Sequence, residues 1–216
     1  TIMNVELFKK VTKIENDEVK GIKISILPHY EEDMRKLKKE FNNLAKSLII
    51  EDLRIDTLDD KWQSSGYYKK YFWIKIFFAN EKYFYKDMCI WISADIYGLH
   101  IYLGDSDNFN ITTREVIFDY IIDKIDKEKE FKNFKLDTEF KFIRYTYQGN
   151  LSNINKDDFL NVINYLKPIY KDALKKFVFT NISNNLLDKK EDTMKINLKT
   201  KNIMLYGAPG VGKTHN

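Results

Sequence analysis

Between Tyr30 and Ile50 the apolar residues Met34, Leu37, Phe41, Leu44 and Leu48 return at three- and four-residue spacing. That spacing predicts a helix with one buried face, set off at its start by Pro28. Gly21 to Leu27, just before it, reads as a short strand. A second helix is predicted from Thr112-x-x-Glu115, a capping-box pattern, with Val116, Ile117, Tyr120, Ile121 and Ile125 along one side. A third runs from about Lys156 to Phe177, with Phe159, Val162, Ile163, Leu166, Ile169, Tyr170, Ala173 and Leu174 in register. Pro168 lies inside it and predicts a kink or two abutting helices, because proline removes a helical hydrogen bond.

Strand-like runs occupy Tyr71 to Ala79, Met88 to Ile96, Leu99 to Leu103 and Phe140 to Tyr147. Gly98 suits a tight turn between the second and third of these, so they should pair antiparallel. The pattern as a whole predicts an α+β fold, a mixed or antiparallel sheet of about four to five strands packed with three main helices. Residues 181–195 are polar and break the apolar rhythm. The expected division is therefore a domain over 1–178, a linker over 179–197, and the start of a second domain over 198–216.

At 216 residues the chain has the length of one domain and part of another. With 44% hydrophobic and 15% aromatic residues it should fold rather than remain disordered. The net charge of +4 permits a polyanionic partner without requiring one, since 36 basic residues are interleaved with 32 acidic ones. Cys89, the single cysteine, lies in an apolar run and reads as a half-buried residue in a reducing compartment. No apolar stretch is long enough to cross a bilayer and no signal-like segment opens the chain, so a cytoplasmic location without membrane contact is expected. His29 and His100 lack any cysteine pattern for zinc, and Asp105-Ser106-Asp107-Asn108 lacks the glycine and terminal glutamate of a calcium loop.

The apolar strand Asn202-Ile203-Met204-Leu205-Tyr206 runs straight into Gly207, Ala208, Pro209, Gly210, Val211, Gly212, Lys213 and Thr214. This is the phosphate-binding pattern G-x-x-x-x-G-K-T. Its glycines let backbone N–H groups turn inward onto phosphate, Lys213 neutralises phosphate charge, and the Thr214 hydroxyl suits a Mg²⁺ ligand. Residues 207–214 are thus the candidate nucleotide-binding set. The chain stops at Asn216, so no catalysis and no bound cofactor are expected of it alone. A nucleoside triphosphate, such as ATP, with Mg²⁺ is expected only of the complete protein.

Leu198 to Thr214, with its Lys201-Asn202 pair before the apolar strand and Gly-Ala-Pro-Gly-Val-Gly-Lys-Thr after it, resembles the start of the AAA+ domain of McrB-type restriction proteins. The preceding order of a helix, aromatic strands, a helix, an aromatic strand and a long closing helix also looks like the N-terminal part of that family. The resemblance implies a domain that finds sites in duplex DNA, often modified cytosine read by base flipping. It further implies a GTP-driven ring in the complete protein and a separate McrC-like nuclease subunit, with this chain alone a monomer.

Strand parity nominates the residues for DNA contact, because alternate side chains point to opposite faces of a sheet. A face carrying Trp73, Lys75, Trp91, His100 and Tyr102, with Tyr145 and Tyr147 considered alongside, would be aromatic and partly basic. Such a surface suits an extruded base, with Lys75 or Arg144 near phosphate. The loops containing Trp62, Tyr67, Tyr68, Lys69 and Lys70, and then Lys82, Tyr83 and Tyr85, combine rings with cations and suit groove or phosphate contact. The same aromatics also fit a second core layer. Direct readout of unmodified DNA and a protein-binding adaptor are the competing functions.

Overall fold

The computed structural model describes residues 3–12, 28–56, 71–79, 88–105, 111–137 and 143–179. The chain divides into two compact units, Thr1–Phe179 and Thr180–Asn216, and every described residue belongs to the first. The expected strand over 21–27, the linker, and the phosphate-binding pattern lie outside the described residues.

Among the described residues six strands form one sheet: β1 (Leu53–Asp56), β2 (Phe72–Phe78), β3 (Met88–Asp95), β4 (Gly98–Asp105), β5 (Phe134–Asp137) and β6 (Ile143–Tyr147). Their order is β1-β2-β3-β4-β6-β5, and each of the five pairings is antiparallel. The fold is therefore α+β with an open antiparallel sheet. The sequence pattern missed β1 and β5, which are four residues each and sit at the two edges. Edge strands that short carry too little alternation to stand out. Each follows a residue with positive φ, Asp52 at 65° and Asn133 at 61°, of the short polar type that tolerates that turn.

Gly98 joins β3 to β4 at φ 127°, and Asp95 pairs with Gly98 across the two-residue tip Ile96-Tyr97. From that tip the register runs without a slip to Met88 opposite Asp105. One face of the sheet is apolar: Phe72, Ile74, Ile76 and Phe78 on β2, Ile90, Ile92 and Ala94 on β3, Leu99, Ile101 and Leu103 on β4, and Ile143 and Tyr145 on β6.

Among the described residues four α-helices accompany the sheet: α1 (Val5–Thr12), α2 (Pro28–Ser47), α3 (Ile111–Ile122) and α4 (Lys156–Ala173). Phe41 of α2 meets Phe72 at 6.0 Å between ring centres. Tyr170 of α4 stacks on Phe78 at 5.0 Å, and Phe159 meets Phe134 edge-on at 4.9 Å. These contacts place α2 and α4 over the apolar face. Truncating one such buried ring costs about 3–5 kcal/mol. α3 lies beside α4, where the Tyr120 hydroxyl donates to Asp172 at 2.5 Å.

α1 is a helix the periodicity did not reveal, being only eight residues long. Asn4 caps it by accepting the Leu7 N–H at 3.0 Å, and the Asn4 N–H donates to Glu40 of α2 at 2.9 Å. Helix α3 already begins at Ile111, so Thr112 lies within its first turn rather than preceding it. α4 is capped by Asn155, which accepts the Asp157 N–H. It runs through Pro168 as one helix, and the departure from α geometry comes later, in a π turn over Leu174–Phe179. Buried Leu166, Ile169 and Tyr170 hold the helix on the sheet on both sides of the proline. No helix among the described residues is long and apolar enough to cross a membrane.

Candidate nucleic-acid interface

Direct cross-strand partners share a sheet face, so the register alone builds two rows across the side opposite the apolar face. The first is Asp56, Lys75, Trp91, Tyr102, Arg144 and Asp137, one residue from every strand. It reads acid, cation, ring, ring, cation, acid. The second is Trp73, Ser93, His100, Thr146 and Lys135. Of the residues nominated from the sequence, Trp73, Lys75, Trp91, Tyr102 and Arg144 are therefore brought onto one face.

Tyr145 is not among them. Its partner across β4 is Ile101, which puts it on the apolar face at 1% exposure, edge-on to Phe131 at 5.4 Å. Tyr147 follows the same parity and packs on Phe134 at 5.2 Å. The grouping of these two tyrosines with the Trp91 face is corrected by the register: Arg144, one residue away, takes that place. Trp62, Tyr67, Tyr68, Lys69, Lys70, Lys82, Tyr83 and Tyr85 lie outside the described residues.

The rings of the first row are packed on each other. Trp91 stacks on Tyr102 at 5.5 Å with 9° between planes, and Trp73 meets Trp91 edge-on at 5.2 Å. The Lys75 ammonium stands 4.6 Å from the Trp91 ring centre and 5.5 Å from that of Trp73. Trp91 is 5% exposed and its indole N–H donates to the Gly104 carbonyl at 3.4 Å, whereas Trp73 is 37% exposed. Cys89 and Phe77 on the same face are buried too. Trp91 is thus the fixed layer beneath an accessible surface of Trp73 and Lys75, and no base can slide between Trp91 and Tyr102 without parting them.

The second row contains a fully buried imidazole. His100 Nε2 lies 2.9 Å from Asp95 Oδ1 and its Nδ1 lies 3.0 Å from Thr146 Oγ1. A carboxylate only accepts, so Nε2 carries the proton that faces Asp95. Asp95 also accepts the Tyr97 N–H at 2.8 Å. Burial pushes the Asp95 carboxyl up, but the hydrogen bond and charge of His100, the Tyr97 N–H and the Arg144 charge outweigh it and hold it below the usual range.

Where the two rows end, against β5, a cavity of about 410 Å³ is lined by Tyr97, Lys135, Leu136, Asp137, Arg144, Thr146 and Gln148. Arg144 is 7% exposed and ion-paired to Asp137, with its guanidinium 5.9 Å from the Tyr97 ring centre. Of these lining residues the sequence reading nominated only Arg144. The signal for Tyr97 was present, since Asp95-Ile96-Tyr97-Gly98 is a hairpin turn that exposes its two central residues. Asp137 and Lys135 lay on a strand the pattern did not reveal. Among the described residues no group of His, Cys, Asp and Glu side chains is arranged to hold a metal ion.

Comparison with protein-family models, with curated proteins and with solved structures finds no match to this chain.

Proposed function

We propose that residues 1–178 are the DNA-recognition domain of an McrB-like restriction protein, joined through a linker to a nucleotide-hydrolysing AAA+ ring. The observation that carries the reading is the face of the sheet opposite the apolar one. Its accessible part combines an exposed indole, Trp73, with cations at Lys75 and Lys135, and it ends in a polar cavity lined by Arg144 and its ion-pair partner Asp137. Cations near phosphate supply affinity for a duplex, and rings with polar side chains beside them supply contacts to bases. The phosphate-binding pattern at 207–214 supports the second half of the reading, with GTP or ATP and Mg²⁺ as its ligands and Lys213 and Thr214 as the charged and metal-binding members. In the complete protein the ring drives an McrC-like nuclease subunit in the cytoplasm. The base selected is cytosine carrying a modification, read by flipping.

The test is binding of the 216-residue chain to matched labelled duplexes bearing cytosine, 5-methylcytosine or 5-hydroxymethylcytosine, at two salt concentrations. Tighter binding to a modified duplex supports the full reading. Equal binding to all three that weakens as salt rises leaves a DNA module and removes the modification. No binding to any duplex overturns the reading and turns the search to a protein partner.

A further inference from the structure

His100 meets two different kinds of partner. Asp95 can only accept a hydrogen bond, whereas the Thr146 hydroxyl gives or takes one by rotating. A carbonyl in the place of that hydroxyl would require a proton on Nδ1, and an N–H there would forbid one. The hydroxyl satisfies the ring with one proton or with two. That matters because His100 is 0% exposed, so solvent does not make up a lost bond. We propose that this pairing makes Thr146 a pH-sensitive switch in the wall of the cavity, facing it as an acceptor when His100 carries one proton and as a donor when it carries two. With one proton, on Nε2, the Thr146 hydrogen is directed at Nδ1 and an oxygen lone pair is left for the cavity. With a second proton on Nδ1, the ring donates to Thr146 Oγ1 and the threonine hydrogen turns outward.

Thr146 is partly exposed and lines the cavity, so the reversal reaches a ligand there although the imidazole itself does not. The placement follows from register: His100 on β4 is the direct partner of Thr146 on β6, which in turn partners Lys135 on β5. Among the described residues, the titratable and charged groups around the ring on this face are Asp95 of β3, Tyr97 of the tip, Tyr102 of β4, Arg144 of β6, and Lys135 and Asp137 of β5. The carboxylates and the cations balance in number, and Arg144 and Asp137 are ion-paired with each other. Of these groups it is the imidazole that is bonded to the Thr146 hydroxyl. Imidazole is also the side chain whose charge ordinarily changes nearest neutral pH. Phosphate oxygens of DNA accept hydrogen bonds from threonine hydroxyls, so a duplex gains a bond when the ring takes its second proton. That consequence rests on the DNA reading above; the switch itself does not.

The experiment follows the isotope-labelled 216-residue chain by NMR as the pH is lowered through the ordinary imidazole range. The His100 Nδ1 signal should change from that of a nitrogen accepting a hydrogen bond to that of one bearing a proton. The Thr146 side-chain signals should change at the same midpoint. In His100→Gln the Thr146 transition should vanish, and in Asp137→Asn it should remain, which separates the ring from the cavity carboxylate. Affinity for a labelled duplex should rise about threefold to tenfold as the parent chain passes that midpoint, the worth of about one hydrogen bond, and Thr146→Val should lose the rise. An Nδ1 that keeps one state throughout overturns the switch on the parent chain alone, whether or not the variants fold. So does a Thr146 transition that survives His100→Gln. If a duplex binds with the same pH dependence in Thr146→Val as in the parent, the reversal does not reach a ligand and the proposal falls while the DNA reading stands. If both NMR transitions are seen but no duplex binds at any pH, the switch stands and the DNA reading falls.

Discussion

Lys75 and Trp91 are direct partners across β2 and β3, and the lysine ammonium stands 4.6 Å from the centre of the indole ring. The ring's negative face attracts the cation while the lysine stem covers apolar surface. Lys75 therefore supplies positive charge to a defined spot on the face rather than sweeping a wide volume. Lys75→Met should weaken duplex binding to a similar degree for every sequence and lower the magnitude of the salt slope by about one. A loss that depended on base sequence would place Lys75 against a base instead of a phosphate. Fluorescence anisotropy over a salt series measures both.

The His100–Asp95 contact makes a prediction in pH. The folded carboxyl of Asp95 is held below its ordinary value of 3.8, so its stabilising contribution is fully present above that value and is lost as the pH falls through the folded one. Asp95→Asn should lower the melting temperature at pH 7, and the gap from the parent chain should close below about pH 3.8. Asp95→Ala, which strands the buried imidazole N–H, should cost about 1–3 kcal/mol at pH 7. A gap unchanged by acid would refute the linkage.

Tyr145 is nearly fully buried and its hydroxyl has no hydrogen-bond partner among the described residues. Burial, with smaller effects from Tyr165 and Asp126, pushes its phenol far above the usual range. Tyr145→Phe removes an unsatisfied polar atom and should leave stability unchanged or raise it by about 1 kcal/mol, while Tyr145→Ala should cost about 3–5 kcal/mol. Neither variant should alter DNA affinity once folding is allowed for. Denaturant unfolding with a parallel binding assay checks both statements.

Gly98 turns the tip that carries Tyr97, at a φ of 127° that side chains rarely adopt. A Cβ placed there meets nothing within 4 Å among the described residues, so the cost of Gly98→Ala comes from the backbone. The expected loss is about 1–3 kcal/mol. Hydrogen exchange should quicken first at the β3–β4 hairpin, since the register from Asp95 to Met88 starts from this turn.

The sequence by itself determined the parts where one periodicity persists. Three- and four-residue spacing sustained over several turns made α2 and α4 legible. Alternation along β2, β3 and β4 was enough to put Trp73, Lys75, Trp91 and Tyr102 on one face. The G-x-x-x-x-G-K-T pattern at 207–214 is likewise local and was read from the sequence alone. Short α1, β1 and β5 stayed hidden, since a few residues contain too little pattern and are held by neighbours distant in the chain. Only the tertiary structure decided which side of β6 faces the rings, because that depends on the pairing of Tyr145 with Ile101 and of Arg144 with Tyr102. It alone also brought Tyr97, Asp137, Arg144 and Thr146 around one cavity. Those residues come from separate segments whose meeting is set by strand order and register, which side-chain pattern along a single strand does not encode.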